Sequence, residues 1–212
     1  MRLVDPFPYG LHWVGDDEKN EEELTKRNLQ YIREVIDYEN PRDIAAIFVE
    51  PITGTNGILK PPKGYLEGIR QICDQHGILM VCDEVMTGFG RTGKLFGFMH
   101  TNPMIIPDIV CMAKGINGAM LPLGAVAVRK PIADYFWQTP INIGSTYNSH
   151  PVALASAYAA IKWSLHNGLY DHVAQMEHVV VEEMAKIAAK HKCIKQARAL
   201  GLFGILELQK NK

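Results

Sequence analysis

The chain has 212 residues, 47% of them hydrophobic and 21% charged, and its 22 lysines and arginines against 23 acids give a formal net charge of -1. That length suits one domain or two small ones with enough apolar material for a core, and the even charge excludes the basic surplus that nucleic acid or anionic lipid selects. No run approaches the roughly 18–20 apolar residues of a membrane-spanning helix, and MRLVDPFPYG lacks the apolar stretch of a secretory signal, so a cytoplasmic protein working on small molecules is expected.

Residues 1–20 are rich in Pro, Gly, Asp and aromatics without periodicity and read as an irregular lead-in. From 21 to 38 the spacing of Leu24, Leu29, Ile32 and Ile36 predicts a helix with acids in its first turn, stopped by Asn40-Pro41. IAAIFVE, 44–50, is a short apolar run before Pro51 and predicts a buried parallel strand followed by a Gly-rich loop. A second helix over 64–76 places Leu66, Ile69, Ile72 and Cys73 on one face and ends at His76-Gly77. ILMVCDEV, IVCMAK (109–114) and LGAVAVR (123–129) predict three further strands. Two longer helices follow from His150, and GLFGILELQ, 201–209, begins another strand.

Strands separated by helices imply βαβ crossovers and an open α/β sheet whose ligands gather at the carboxyl ends of its strands. Glu50 ends the first strand, Asp83 the second and Lys114 the third, so two acids and an amine fall on one rim. Singly, each has a bland reading as a turn cap or a solvated lysine. Together, with Lys114 closing an apolar strand and followed by Gly115, they describe an amine placed to be desolvated and to act as a nucleophile. Pyridoxal phosphate chemistry asks for such a set: a lysine to form a Schiff base, a carboxylate for the pyridinium nitrogen, and donors for the phosphate.

Other motifs carry less. GFGRTGK has glycines before a lysine, but Leu95 stands where a P-loop needs Ser or Thr. The eight histidines show no metal-binding spacing, and Cys73, Cys82, Cys111 and Cys193 have neither CxxC nor zinc-type spacing, so reduced, packed cysteines are expected.

VEPITGTNGILKPPKGYLEGIRQICDQHGILMVCDEVMTGFGRTGKLFGF, PDIVCMAKGINGAMLPLGAV and GSTYNSHPVALASA closely resemble the class III aminotransferases, over about 45–157, with GLFGIL matching the start of that family's small domain. The resemblance implies a three-layer α/β large domain of the pyridoxal-phosphate-dependent transferase fold, with a mixed, mostly parallel sheet. It also implies a homodimer with shared sites and pyridoxal 5'-phosphate as cofactor. By the same resemblance Lys114 of AKG is the Schiff-base lysine and proton shuttle, Asp83 of DEV the pyridinium partner, Val85 the apolar side chain against the ring, and Thr146 of GST the threonine given to the phosphate of the neighbouring subunit's cofactor. Glu50 of VEP is expected near the cofactor in a positioning role, and Arg91 in a structural one.

Two departures bear on substrate. Met86 stands where many members have Gln after DEV, and Thr55 where they have the Glu that pairs with a substrate-gating arginine. Met86 cannot donate a hydrogen bond and Thr55 cannot pair with an arginine, so an ω-amino acid or amine donor with pyruvate as acceptor is expected. Glutamate-semialdehyde aminomutases share DEVMTGF but not RTGK and remain an alternative, as does a catalytically incompetent fragment or scaffold. No SGSEAN-type phosphate turn precedes residue 45 and the sequence stops shortly after 201. The expected organisation is therefore a lead-in over 1–20, a partial large domain over 21–200 and the start of a small domain over 201–212, inactive alone.

Overall fold

The computed structural model describes Leu3, Pro6 and residues 20–209; most of the expected lead-in, and residues 210–212, lie outside the described residues. Helix α1, Glu21–Glu39, opens where Asn20 Oδ1 accepts from Glu23 N at 3.2 Å, and its three first-turn acids complement the helix dipole. Strand β1, Ala46–Val49, leads through a loop to helix α2, Tyr65–His76, which ends at left-handed Gly77 with the Gly77 N–H on Cys73 O. Strand β2, Leu79–Asp83, then pairs in parallel with β1, and this βαβ unit is the one crossover of the kind expected from the sequence.

The rest of the sheet departs from that expectation. Strand β3, Ile109–Met112, pairs in parallel with β2, yet the 84–108 connection holds turns and a short 3-10 helix, Gly97–His100, in place of an α-helix. Strand β4, Ala125–Val128, returns antiparallel beside β3 after a connection that holds only the 3-10 turn Lys114–Asn117 and no α-helix. The order is β1-β2-β3-β4, a mixed and mostly parallel sheet.

Helix α3, Lys130–Gln138, was not expected from the sequence; α4, Pro151–His166, and α5, Leu169–Lys190, were. Strands β5, Ile194–Leu200, and β6, Phe203–Leu208, form a separate antiparallel hairpin, and the boundary expected at 201 falls inside its turn, between two paired strands. The hairpin docks on the main body: Leu202 N donates to Arg91 O at 3.0 Å, Gly201 N to Glu177 Oε2 at 2.9 Å, and Arg198 Nη2 to Gly57 O at 2.9 Å.

One face of the sheet is dry. Ile47, Met80 and Cys82 meet Ile32 and Ile36 of α1 and Ile69, Ile72 and Cys73 of α2 in a single cluster, each large aliphatic side chain contributing about 1.5–3 kcal/mol by leaving water. The strands were expected to be buried on both faces, but Phe48 of edge strand β1 is 72% exposed and Val126 of edge strand β4 64%. The expectation holds for the inner strand β2, where Met80, Val81 and Cys82 are all buried, and fails at the edge strands β1 and β4.

At the rim where β3 begins, Asp108 joins three elements. Its Oδ2 accepts from Arg70 Nη1 of α2 at 2.6 Å and from Met80 N of β2 at 2.8 Å, and its Oδ1 from Arg129 Nη1, just past β4, at 3.1 Å. Burial alone would raise the Asp108 pKa, but the Met80 N–H and the two guanidinium groups outweigh it and hold the carboxyl below its ordinary 3.8. A depressed carboxylate gives stability that is complete above the unfolded value and lost as pH falls below it. Asp108→Asn should therefore cost about 3 kcal/mol in denaturant unfolding at pH 7, with Asp74 still holding Arg70. The gap from the unsubstituted chain should shrink below the ordinary 3.8; a gap independent of pH would show that the charge is not its source.

Candidate active site

The opposite rim, at the carboxyl ends of the parallel strands, collects the acids and the amine expected there. Asp83 is the last residue of β2 and pairs in register with Cys111 of β3. Its Oδ1 accepts from Val85 N at 2.9 Å, which turns the chain out of the sheet, while Oδ2 has no partner among the described residues. Lys114 lies two residues beyond β3, on a 3-10 turn, Lys114–Asn117, and makes no hydrogen bond or ion pair among the described residues. Its φ of 32° is in the left-handed region, a strained backbone for a lysine that persists where the surroundings over-determine it.

One expectation fails here. Lys114 is exposed, so the described chain does not supply the desolvation inferred from its apolar strand. The strand stops before the lysine, and the side chain leaves from a turn at the sheet edge.

Glu50 follows β1 and spends its Oε2 on Gly54 N at 2.8 Å, closing the 50–54 turn. Met86 lies against the same turn: a Cβ on Gly54 would come within 2.4 Å of the Met86 sulfur. Thr55, beside it, is exposed at the tip of a small hairpin closed by Thr53 and Leu59. Val85 is partly buried next to Asp83. Thr146 lies in the wholly exposed 139–150 connection between α3 and α4 and has no hydrogen-bond partner among the described residues. The structure thus brings Glu50, Asp83, Val85 and Lys114 to the carboxyl-end rim of the sheet.

The GFGRTGK stretch does not lead into an α-helix as a P-loop would; it is a run of turns ending at Gly97–His100. Arg91 is a docking residue here, its Nη1 3.4 Å from Leu202 O. Between this stretch, the start of α5 and β6 lies a cavity of about 490 Å³, lined by Lys114, Phe89, Arg91, Leu169, Val173 and Phe203 among others. Among the described residues no His, Cys, Asp and Glu cluster could hold a metal, and no helix is long and apolar enough to cross a membrane.

The family model described as Aminotransferase class-III matches residues 3–212. The chain belongs to the class III aminotransferases. It is 39% identical over 184 residues to an omega-aminotransferase of Caulobacter vibrioides, a match covering 84% of this chain and 41% of that protein. A taurine:2-oxoglutarate aminotransferase of Bifidobacterium kashiwanohense, solved with PLP and glutamate, superposes with TM-score 0.85 at 42% identity over 92% of this chain and 42% of its own. An (S)-enantioselective omega-transaminase of Thermomicrobium roseum gives TM-score 0.89 at 33% identity over 100% of this chain and 46% of its own. This class III aminotransferase chain therefore spans about two-fifths of the length of the relatives it matches.

Class III aminotransferases depend on pyridoxal phosphate, and the donor set on this rim fits that group. An unpartnered carboxylate oxygen and an unpartnered primary amine at adjacent strand ends match an acidic pyridinium N–H and an aldehyde. Glu84, the second carboxylate of the DEV motif, is not part of that set. It is 0% exposed and fully engaged with its own loop. In the sequence the two acids were separated only by the family resemblance, which singles out Asp83; the residues alone offer no more than strand alternation, which points neighbours to opposite sides.

Proposed function

We propose that the protein transfers an amino group between an ω-amino acid or amine donor and a 2-oxo acid, using Lys114 and Asp83. The observation that carries the reading is the pairing of Asp83, with one carboxylate oxygen unspent, and the unpartnered Lys114 at neighbouring strand ends of a class III aminotransferase chain. Bound pyridoxal phosphate supplies an aldehyde and an electron-accepting pyridinium ring. Asp83 Oδ2 accepts the ring N–H and keeps that nitrogen protonated, while Val85 N holds Oδ1 in place. Lys114 Nζ would hold the cofactor through its aldehyde, with loss of water, and as a free amine would carry the proton to and from the donor carbon that bears nitrogen. Val85 packs on the ring, Glu50 orders the turn beside it, and Thr146 gives its hydroxyl to the phosphate in a neighbouring subunit. Exposed apolar side chains around Thr146, with Trp137 86% and Tyr147 78% exposed, support a homodimer with shared sites.

Thr55 and Met86 support pyruvate as acceptor, since neither recreates the polar pairing used for a second carboxylate. A second reading, 2-oxoglutarate, is favoured by the 42% identity to a taurine:2-oxoglutarate aminotransferase. A small domain beginning near 201 is proposed, and because β5 pairs with β6 across that point its first element takes in the whole hairpin; the 212-residue chain alone is proposed to be inactive.

The test uses protein expressed from its full coding sequence, incubated with pyridoxal phosphate, reduced with borohydride and mapped by mass. The adduct is expected on Lys114; an adduct on another lysine, or none, rejects the site. Acceptor screening with β-alanine or taurine as donor should then show pyruvate turning over faster than 2-oxoglutarate. The reverse order establishes the second reading, and conversion of glutamate semialdehyde without an added acceptor establishes the aminomutase.

A further inference from the structure

We propose that Glu84 is a positioning residue for the Lys114 site: its buried carboxylate clamps the glycine-rich turn against the Lys114–Gly115 peptide and so fixes the backbone from which the lysine projects. The proposal rests on the reading of Lys114 as the reactive amine. Three donors converge on this one carboxylate. Thr87 Oγ1 and, at 2.8 Å, Gly97 N donate to Oε2, and Phe98 N donates to Oε1 at 2.9 Å. Its backbone is tied as firmly, with Glu84 N donating to Cys111 O of β3 at 2.9 Å and Gly88 N to Glu84 O at 2.9 Å. One residue thus joins the end of β2, the carbonyl edge of β3, and both ends of the turn.

That turn lies on the lysine's own peptide. A Cβ on Gly115 would meet Phe89 Cβ at 3.1 Å and Gly88 O at 3.3 Å, so the turn packs closely on this peptide and a side chain there would have to push it back by a few tenths of an ångström. Phe89 and Lys114 both sit at positive φ, 58° and 32°. Strained backbone at two such positions holds only while something else fixes it, and Glu84 ties the turn on the Phe89 side through Gly88 N and the end of β3, ahead of Lys114, through Cys111 O.

The chemistry of the group agrees with a clamp. Glu84 is 0% exposed and has no ion-pair partner among the described residues. Burial raises its pKa, the three donors pull against that, and Asp83's neighbouring charge adds to the rise. A carboxylate costs more to bury than an amide, yet an amide has one acceptor oxygen and cannot receive donors on both branches. The need for two acceptor atoms accounts for an acid where a neutral side chain would otherwise be cheaper to bury.

Three variants of the protein expressed from its full coding sequence test this: Glu84→Ala, Glu84→Gln and Thr87→Val, the last keeping shape while removing a single donor. Hydrogen exchange should show Gly97 and Phe98 losing protection in Glu84→Ala while β2 and β3 keep theirs. Labelling by limiting pyridoxal phosphate and borohydride should slow at Lys114 but not at Lys130 or Lys186, and kcat should fall about 10²-fold with KM little changed, the loss expected from misplacing a reacting group by about 1 Å. Glu84→Gln should recover part of both, and Thr87→Val should lose less than either. Lys114 labelling that is unchanged in folded Glu84→Ala, or that falls equally at all three lysines, overturns the clamp and leaves the amine assignment standing. If Lys114 is not labelled in the unsubstituted protein, the reading of Lys114 fails and the proposal falls with it. Should Glu84→Ala not fold, Thr87→Val decides: no selective loss at Lys114 overturns the proposal.

Discussion

Lys114→Ala is expected to lower the rate of amino transfer by at least about 10³-fold, since it removes both the covalent attachment and the proton carrier, and proton transfer alone accounts for 10²–10⁴. The side chain has no structural bond to lose: Lys114 Nζ has no partner among the described residues, and the residue is exposed. Folding should therefore survive, with a melting temperature within a degree or two of the unsubstituted protein, as is usual for surface sites. Relief of the positive φ will not occur, because alanine pays a similar cost there. Lys114→Arg keeps the charge and most of the length but presents a guanidinium that stays protonated, so it should be as inactive as alanine. A small primary amine added to the assay should restore part of the alanine variant's rate and none of the arginine variant's. If Lys114→Arg retained measurable turnover, the amine would be serving as a charge and not as a nucleophile or base.

How far the sequence foretold this site can be followed residue by residue. The helices α1, α2 and α5 were legible from apolar residues at helical spacing, α4 from its run of alanines and other good helix formers, and β1 to β4 because short apolar runs sit between turn signals. Helix α3 was not: KPIADYFWQ is short, largely exposed, and its aromatic residues follow no core face. Strand β5 was hidden in IKQARAL, whose polar residues pair with β6 and gain their place from Arg198, bonded to Glu207 and Gly57, which no local pattern encodes. Strand direction was also invisible; β4 runs antiparallel to β3, while its apolar composition matches a parallel strand equally well. At the site, Asp83 and Lys114 were legible as strand-end residues because strand ends can be read from pattern, and the parallel register sets Asp83 beside Cys111, three residues before Lys114. Their environment was not readable. The exposure of Lys114, the engagement of Glu84 and the node at Asp108 all depend on residues far away in sequence.

Asp83→Asn should slow the half-reaction by about 10²-fold or more while leaving covalent attachment at Lys114 intact, because a preorganised charge counts mainly once electrons flow toward the ring. The substitution is a clean one structurally. Asparagine can keep its Oδ1 as acceptor for Val85 N, preserving the 2.9 Å bond that turns the chain, and only the free oxygen becomes an N–H₂ group. That group donates where the ring nitrogen also needs to donate, so the ring proton is no longer held. A second readout needs no turnover. Cys111, paired in register with Asp83, has its thiol pushed up by burial first and by the Asp83 charge second. Removing the charge lowers the thiol toward its ordinary value, so at a given alkaline pH more of it is thiolate and alkylation speeds up. Exposed Cys193, on the far hairpin side, serves as the internal reference, and Cys73 and Cys82 are buried. Faster alkylation of Cys111 relative to Cys193, with the slowed half-reaction, shows that a carboxylate charge stood at this strand end. An unchanged half-reaction rate would refute the role of Asp83 even if the thiol responds, since the thiol reports the charge and only the rate reports its use.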